Sequence, residues 1–68
     1  MTPREIRLEL TKHHVAEARR LVKYQKQAIE QNKRAGRDTS DSEARLTAFE
    51  RALSTFEDRL AAVLAETG

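Results

Sequence analysis

The feature that most constrains this chain is a run of large apolar residues in its second half. They recur at alternating intervals of three and four, at Leu46, Phe49, Leu53, Phe56, Leu60 and Val63. This is the heptad period of a helix that buries one narrow stripe against another helix. The run therefore predicts an α-helix that needs a helical partner.

The first half of the chain supplies that partner. Thr2 can cap a helix, Pro3 suits its first position, and Glu5 completes a capping box. No Gly or Pro interrupts the chain from there to Ala35. Apolar residues keep helical spacing throughout this stretch, at Leu8, Val15, Ala18, Leu21, Val22, Ala28 and Ile29.

One break separates the two helical segments. Gly36 suits the left-handed conformation that ends many helices, and residues 37–41 offer turn and cap chemistry. Either Ser40 or Thr39 can cap the second helix, which we expect to end near Glu66. The sequence thus predicts an all-α fold with one domain, 1–68, an antiparallel two-helix hairpin with helices at 3–35 and 41–66.

Heptad positions also predict which residues face each other when the chain folds back near residue 39. The expected pairs are Ile29 with Phe49, Val22 with Phe56, and Val15 with Val63. The same register aligns opposite charges on one flank, at Lys33 with Glu43, Lys26 with Glu50, and Arg19 with Glu57. In this register residues 2–9, including Ile6 and Leu8, project past the second helix.

The charge distribution agrees with a self-complementary hairpin. Residues 1–37 carry ten basic and four acidic side chains, and residues 38–68 carry three basic and seven acidic ones. Opposite charge in the two halves favours pairing between the helices over a surface built for one charged ligand.

The opposite flank is small and partly apolar, so we expect it to be a partner surface. A chain of 68 residues without cysteine buries little surface and has no disulfide to compensate. We therefore predict a homodimeric four-helix bundle. Its expected core and interface residues are Val15, Leu21, Val22, Ala28, Ile29, Leu46, Phe49, Ala52, Leu53, Phe56, Leu60 and Val63.

The chain offers little reactive chemistry. His13 and His14 are neighbours on a helix and point about 100° apart, so they cannot both bind one ion, and either could add only Glu17 as a second ligand. We expect His14 to pair with Glu66 and His13 to be solvated. No catalytic motif is present, which predicts no enzyme activity, no metal and no cofactor.

An alternative function is a small RNA- or DNA-binding regulator. The outer face of the first helix carries Arg20, Lys23, Arg34 and Arg37. Three glutamates lie on the same outer surface, at Glu9, Glu17 and Glu30, and they favour an ordinary solvated face. The first interpretation is a structural or protein-interaction module that self-associates. The charged start of the chain, which lacks an apolar run, predicts no secretory signal, no membrane span and a cytoplasmic location.

Several short segments resemble small helical-hairpin proteins of rhizobial-type alphaproteobacteria, a family without an established activity. The segments lie between residue 14 and about residue 55, at His14-Val15-Ala16-Glu17, Gln25-Lys26, Gly36-Arg37-Asp38-Thr39, Leu46, Phe49-Glu50 and Leu53. The resemblance implies a hairpin in the bacterial cytosol, and it carries over no catalytic residues.

Overall fold

The computed structural model describes residues 1–66 and contains two antiparallel α-helices. Helix α1 spans Pro3–Arg34 and helix α2 spans Ser40–Ala65. The predicted all-α hairpin is confirmed, and each boundary lies within one residue of its expected place. The last two residues of the predicted domain lie outside the described part of the chain.

Helix α1 begins with one of the two hydrogen bonds of the expected capping box. The Oγ1 atom of Thr2 accepts a hydrogen bond from the backbone N–H of Glu5 at 3.1 Å. The Thr2 hydroxyl in turn donates to the Glu5 carboxylate at 3.2 Å. Pro3 occupies the first helical turn, where its missing N–H has no partner to lose.

Gly36 ends α1 in a Schellman motif. Its φ is +74°, which is the left-handed region. The backbone N–H of Gly36 donates to the Lys33 carbonyl at 3.0 Å, and the N–H of Arg37 donates to the Asn32 carbonyl at 2.9 Å. Two terminal carbonyls of the helix are therefore satisfied, and the chain reverses direction.

Replacing Gly36 by alanine should lower the free energy of unfolding by about 1 kcal/mol. A Cβ atom at this position meets nothing within 4 Å, so the loss comes from the positive φ alone. Urea denaturation followed by circular dichroism measures it. A synthetic chain with D-alanine at position 36 is the control, because D-alanine adopts positive φ without strain and should retain full stability. Equal losses in both chains would contradict this explanation.

Thr39, one of the two expected caps, directly precedes α2, but the side-chain hydrogen bonds at this helix start are made by Asp38. Thr39 stands at the N-cap position, but its side chain makes no capping hydrogen bond. The Oδ1 atom of Asp38 instead accepts from the backbone N–H of Ser40 at 2.9 Å and from its hydroxyl at 2.7 Å. Asp side chains bond readily to the backbone two residues on, so Asp38 outcompetes its neighbours.

These hydrogen bonds make the turn sensitive to acid. The Ser40 hydroxyl, and then its backbone N–H, stabilise the carboxylate and hold the pKa of Asp38 below its usual 3.8. A carboxyl group whose pKa is lowered by folding stabilises the fold above its unfolded pKa. That contribution is lost as the pH falls through the lower, folded value.

We expect Asp38→Asn to reduce the loss of stability between neutral pH and about pH 3. The asparagine oxygen can still accept both hydrogen bonds, but it carries no charge that titrates. Urea midpoints of both proteins at the two pH values measure the effect, because the other carboxylates contribute equally to each. If the two proteins lose the same stability in acid, the carboxylate of Asp38 plays no part.

The helices pair about one heptad away from the predicted register. The ring centroids of His14 and Phe56 are 5.1 Å apart. The side-chain amide of Gln25 donates to the Ser42 carbonyl at 3.2 Å. The expected neighbour of Phe56 was Val22, which lies eight residues from His14, or roughly 12 Å along the axis. The predicted pairs of facing residues are therefore wrong.

The corrected register removes the predicted overhang. The guanidinium of Arg4 donates to the Val63 carbonyl at 3.4 Å, and that of Arg7 lies 2.7 Å from the Glu66 carboxylate. Leu8 is half-buried, although Ile6 remains exposed. The first two turns of α1 thus pack along the last turns of α2.

Two of the three predicted ion pairs nevertheless form. Lys33 lies 3.1 Å from Glu43, and Arg19 lies 3.3 Å from Glu57. The third predicted pair does not form, because no ion pair joins Lys26 to Glu50 among residues 1–66. The flank that holds these ion pairs is called the charged flank below.

The hairpin has no enclosed interior. Its buried apolar side chains are Val15, Ala18, Val22, Ile29 and Val63. The hairpin is 54 Å long, and its radius of gyration is 15.8 Å. A compact domain of this length would have a radius of gyration of about 11 Å. Each helix therefore has one helical neighbour and one uncovered side. Within residues 1–66, no helix combines the length and apolar character needed to cross a bilayer.

Candidate association surface

The large side chains of the α2 heptad are only partly covered by α1. Those that are half-buried are Leu46, Phe49, Leu53, Phe56 and Leu60. Their smaller counterparts on α1 are buried, because the bulkier α2 residues cover them. A pair of helices can cover only one side of each apolar stripe, so much of the α2 stripe still faces outward.

An apolar groove lies between the helices near their midpoint, opposite the charged flank. Its volume is about 130 Å³. It is lined by His14, Glu17, Ala18, Leu21, Phe49, Ala52 and Phe56. Leu21 is 47% exposed at its edge. We call this feature the central groove.

A second groove lies nearer the chain ends on the same side. Its volume is about 440 Å³, and its lining includes Leu10, Phe56, Arg59 and Ala62. Phe56 and His14 both line the two grooves, so their packed rings separate them. The guanidinium of Arg59 lies 5.7 Å from the centre of the Phe56 ring, close enough for a cation–π contact. We call this feature the end groove.

The structure separates the predicted interface residues into three groups. Val15, Val22, Ile29 and Val63 are buried between the two helices of the hairpin. Leu21, Phe49, Ala52 and Phe56 line the central groove. Ala28 is half-buried, as are Leu46, Leu53 and Leu60 along the stripe. The second and third groups are the ones available to another molecule.

Leu10 and Tyr24 lie off the main heptad stripe, and the sequence suggested at most a minor second contact for them. They are 53% and 58% exposed. With Leu21 they occupy positions 10, 21 and 24 of α1, which fall on one face at heptad spacing. This second, sparser stripe was a readable signal, but charged residues between its members conceal it.

Among residues 1–66, no ion pair joins His14 to Glu66, so that expectation is wrong. The Glu66 carboxylate instead binds Arg7 at 2.7 Å, with Arg4 at 3.9 Å. The corrected register brings these arginines to the end of α2, while His14 packs against Phe56. No group of three metal-binding side chains occurs among residues 1–66.

Carboxylates interrupt the basic face of α1. Arg20 pairs with Glu17, and Arg34 pairs with Glu30. Arg37 donates to the Asn32 side chain at 3.3 Å. Lys23 lies between Arg20 and Arg34 on α1. Two of the four cations proposed for nucleic-acid binding are thus already neutralised, which weakens the electrostatic attraction to phosphates.

No protein-family model matches this sequence, and neither the curated proteins nor the solved structures contain a significant match to it. The resemblance to rhizobial-type hairpin proteins therefore stays a prediction. The function has to be inferred from the surface of the hairpin.

Proposed function

We propose that this protein is a non-enzymatic interaction module that self-associates as a homodimeric four-helix bundle. The observation that carries the proposal is the central groove, where Leu21, Phe49 and Phe56 present apolar surface to solvent. Contiguous apolar patches on small proteins mark sites of association. Packing two hairpins face to face would complete the core that each one lacks.

The exposed area supports a second hairpin as the partner. The chain exposes 5166 Å². A compact monomer of this length would expose about 4,400 Å², so the hairpin has an excess of roughly 800 Å². A stable interface buries about 800 Å² on each partner. Dimerisation of this hairpin is therefore sufficient to bring it to the surface area of a compact protein.

Sedimentation equilibrium over a range from nanomolar to high micromolar concentration tests the proposal. We expect twice the mass of the chain at the upper end, together with a helical circular dichroism spectrum. Thermal midpoints should rise with protein concentration, because association stabilises only the folded chain. A folded monomer at every concentration would contradict self-association.

A further inference from the structure

We propose, resting on the homodimer proposed above, that α1 of each subunit packs against α2 of the partner. The two-fold axis of the dimer then runs parallel to the long axis of the hairpin. The two turns lie at one end of the bundle, and all four chain termini lie at the other. The side of the hairpin that carries the central and end grooves is thus covered by a second copy of this chain in one defined orientation.

The first observation is a row of large side chains on the grooved side of α1. Leu10, Leu21 and Tyr24 are between 47% and 58% exposed. They share one helical face at heptad spacing. Such a row can act as the projecting side of a helix–helix contact.

The second observation is a matching row of small side chains on the grooved side of α2. It consists of Ala48, Ala52, Thr55 and Ala62, all of which are exposed, and it is interrupted by Arg59. Their spacing is also that of a heptad. Small residues leave space into which larger side chains of a neighbouring helix can pack.

The two rows are at matching heights along the hairpin. Leu21 and Ala52 both line the central groove, and Leu10 and Ala62 both line the end groove. A two-fold axis parallel to the hairpin leaves these heights unchanged. Leu21 would therefore meet the partner's Ala52, and Leu10 would meet the partner's Ala62.

Charge favours the same arrangement. Residues 1–37 carry ten basic and four acidic side chains, whereas residues 38–68 carry three and seven. Placing α1 beside the partner's α2 brings opposite charges together, and placing α1 beside α1 brings like charges together. Opposite charges across an interface favour the correct partner orientation.

One particular ion pair follows from the observed geometry. Arg19 and Glu57 bind each other across the hairpin at 3.3 Å. Glu17 lies two residues before Arg19, and Arg59 lies two residues after Glu57. Glu17 and the partner's Arg59 would thus be offset along their two antiparallel helices by the same distance as Arg19 and Glu57. Both side chains lie on the grooved side.

A two-fold axis perpendicular to the hairpin gives poorer packing. It sets α1 against α1 and α2 against α2. The large row then meets itself, and the alanine row meets itself, so one contact is crowded while the other leaves gaps. Both overpacking and cavities destabilise a core by kilocalories per mole.

The distance between the two turns distinguishes the two axes. The chain has no cysteine, so Arg37→Cys in the exposed turn gives one spin-label site per subunit. With a parallel axis the labels should lie within about 30 Å, since packed helices are separated by about 10 Å and the label arms add the rest. With a perpendicular axis they should lie near the 54 Å length of the hairpin.

Pulsed electron paramagnetic resonance on the labelled dimer measures this distance. A short distance supports the proposed orientation. A distance near the hairpin length overturns the orientation but leaves the dimer intact. Absence of any dimer in sedimentation overturns the proposed function itself, so the two failures are distinguishable.

Disulfide formation provides a second measurement. Equal amounts of the single variants Leu21→Cys and Ala52→Cys are mixed, exchanged and oxidised, and the products are identified by mass. The parallel axis predicts enrichment of the mixed species, in which position 21 is joined to position 52 of the partner subunit. Enrichment of the two symmetric species would overturn it. An Arg51→Cys variant, on the exposed outer face of α2, is the control for random collisions.

Discussion

Replacing Leu21 by glutamate should weaken the proposed dimer at least about 100-fold. Leu21 is 47% exposed in the single hairpin, at the edge of the central groove. Full burial of a leucine side chain is worth about 1.5–3 kcal/mol. Only the exposed part of Leu21 becomes buried on association, but a symmetric dimer contains two copies of it, so the substitution removes that contribution twice. The substitution also places a carboxylate in an apolar contact beside Glu17, where it is poorly solvated. The effects together exceed about 3 kcal/mol, and sedimentation equilibrium measures the resulting dissociation constant.

The matched control is Leu64→Glu. Leu64 is also a leucine, it is 56% exposed, and it lies outside both grooves. We expect its dissociation constant to change by less than about threefold, as for most exposed positions. Circular dichroism should show that both variants remain helical. An unchanged dimer in Leu21→Glu would exclude the central groove from the interface, and equal weakening in both variants would indicate a general loss of stability.

The fold was predictable because its signals are local. Thr2 with Glu5 defines the start of α1, Gly36 defines its end, and the heptad from Leu46 to Val63 defines the buried stripe of α2. Each depends on residues a few positions apart, so no long-range information is needed. The cap of α2 was less predictable, because four adjacent turn residues can all accept the same hydrogen bonds.

The register was not predictable, since a heptad pattern looks the same after a shift of seven residues. Every large residue of α2 then meets another position of the same type on α1. Small or β-branched residues occupy much of that α1 stripe, so size gives no preference. Only contacts that break the repeat, such as Gln25 with the Ser42 carbonyl, distinguish the two alignments.

The charge pattern failed to resolve this ambiguity for a physical reason. Helical side chains lean toward the N-terminus of their own helix. In antiparallel helices they therefore lean toward each other, and long side chains can join residues well separated along the axis. Arg19 and Glu57 form their ion pair in the observed register for this reason. An ion pair between long side chains therefore determines the register only to within about one heptad.

The grooved side was partly predictable. The heptad positions of Leu21, Ala28 and Ala52 place them away from the charged flank, as the helical wheel requires. Leu10 and Tyr24 were expected to make at most a minor second contact, because a hydrophobic pattern shows one dominant stripe more clearly than a second, sparse one.

Phe56 should be the most sensitive position for the stability of the fold, and it also tests the register. Its ring packs on His14, with which it separates the two grooves, and lies beneath the guanidinium of Arg59. We expect Phe56→Ala to lower the free energy of unfolding by about 3 kcal/mol. Phe56→Leu should cost less than about 1.5 kcal/mol, because it keeps most of the volume. Ser54→Ala, at an exposed neighbour that lines neither groove, should cost under about 0.5 kcal/mol.

Double-mutant cycles then identify the residue that Phe56 contacts. Residues in contact usually show coupling energies above about 0.5 kcal/mol, and residues more than about 10 Å apart are additive. The observed register puts His14 beside Phe56 and leaves Val22 roughly 12 Å further along α1. Phe56→Ala should therefore couple to His14→Ala and be additive with Val22→Ala, as measured by urea denaturation at one protein concentration. A two-fold axis parallel to the hairpin preserves this result, since the partner's His14 lies at the same height. Coupling to Val22 alone would instead restore the register predicted from the heptads and charges.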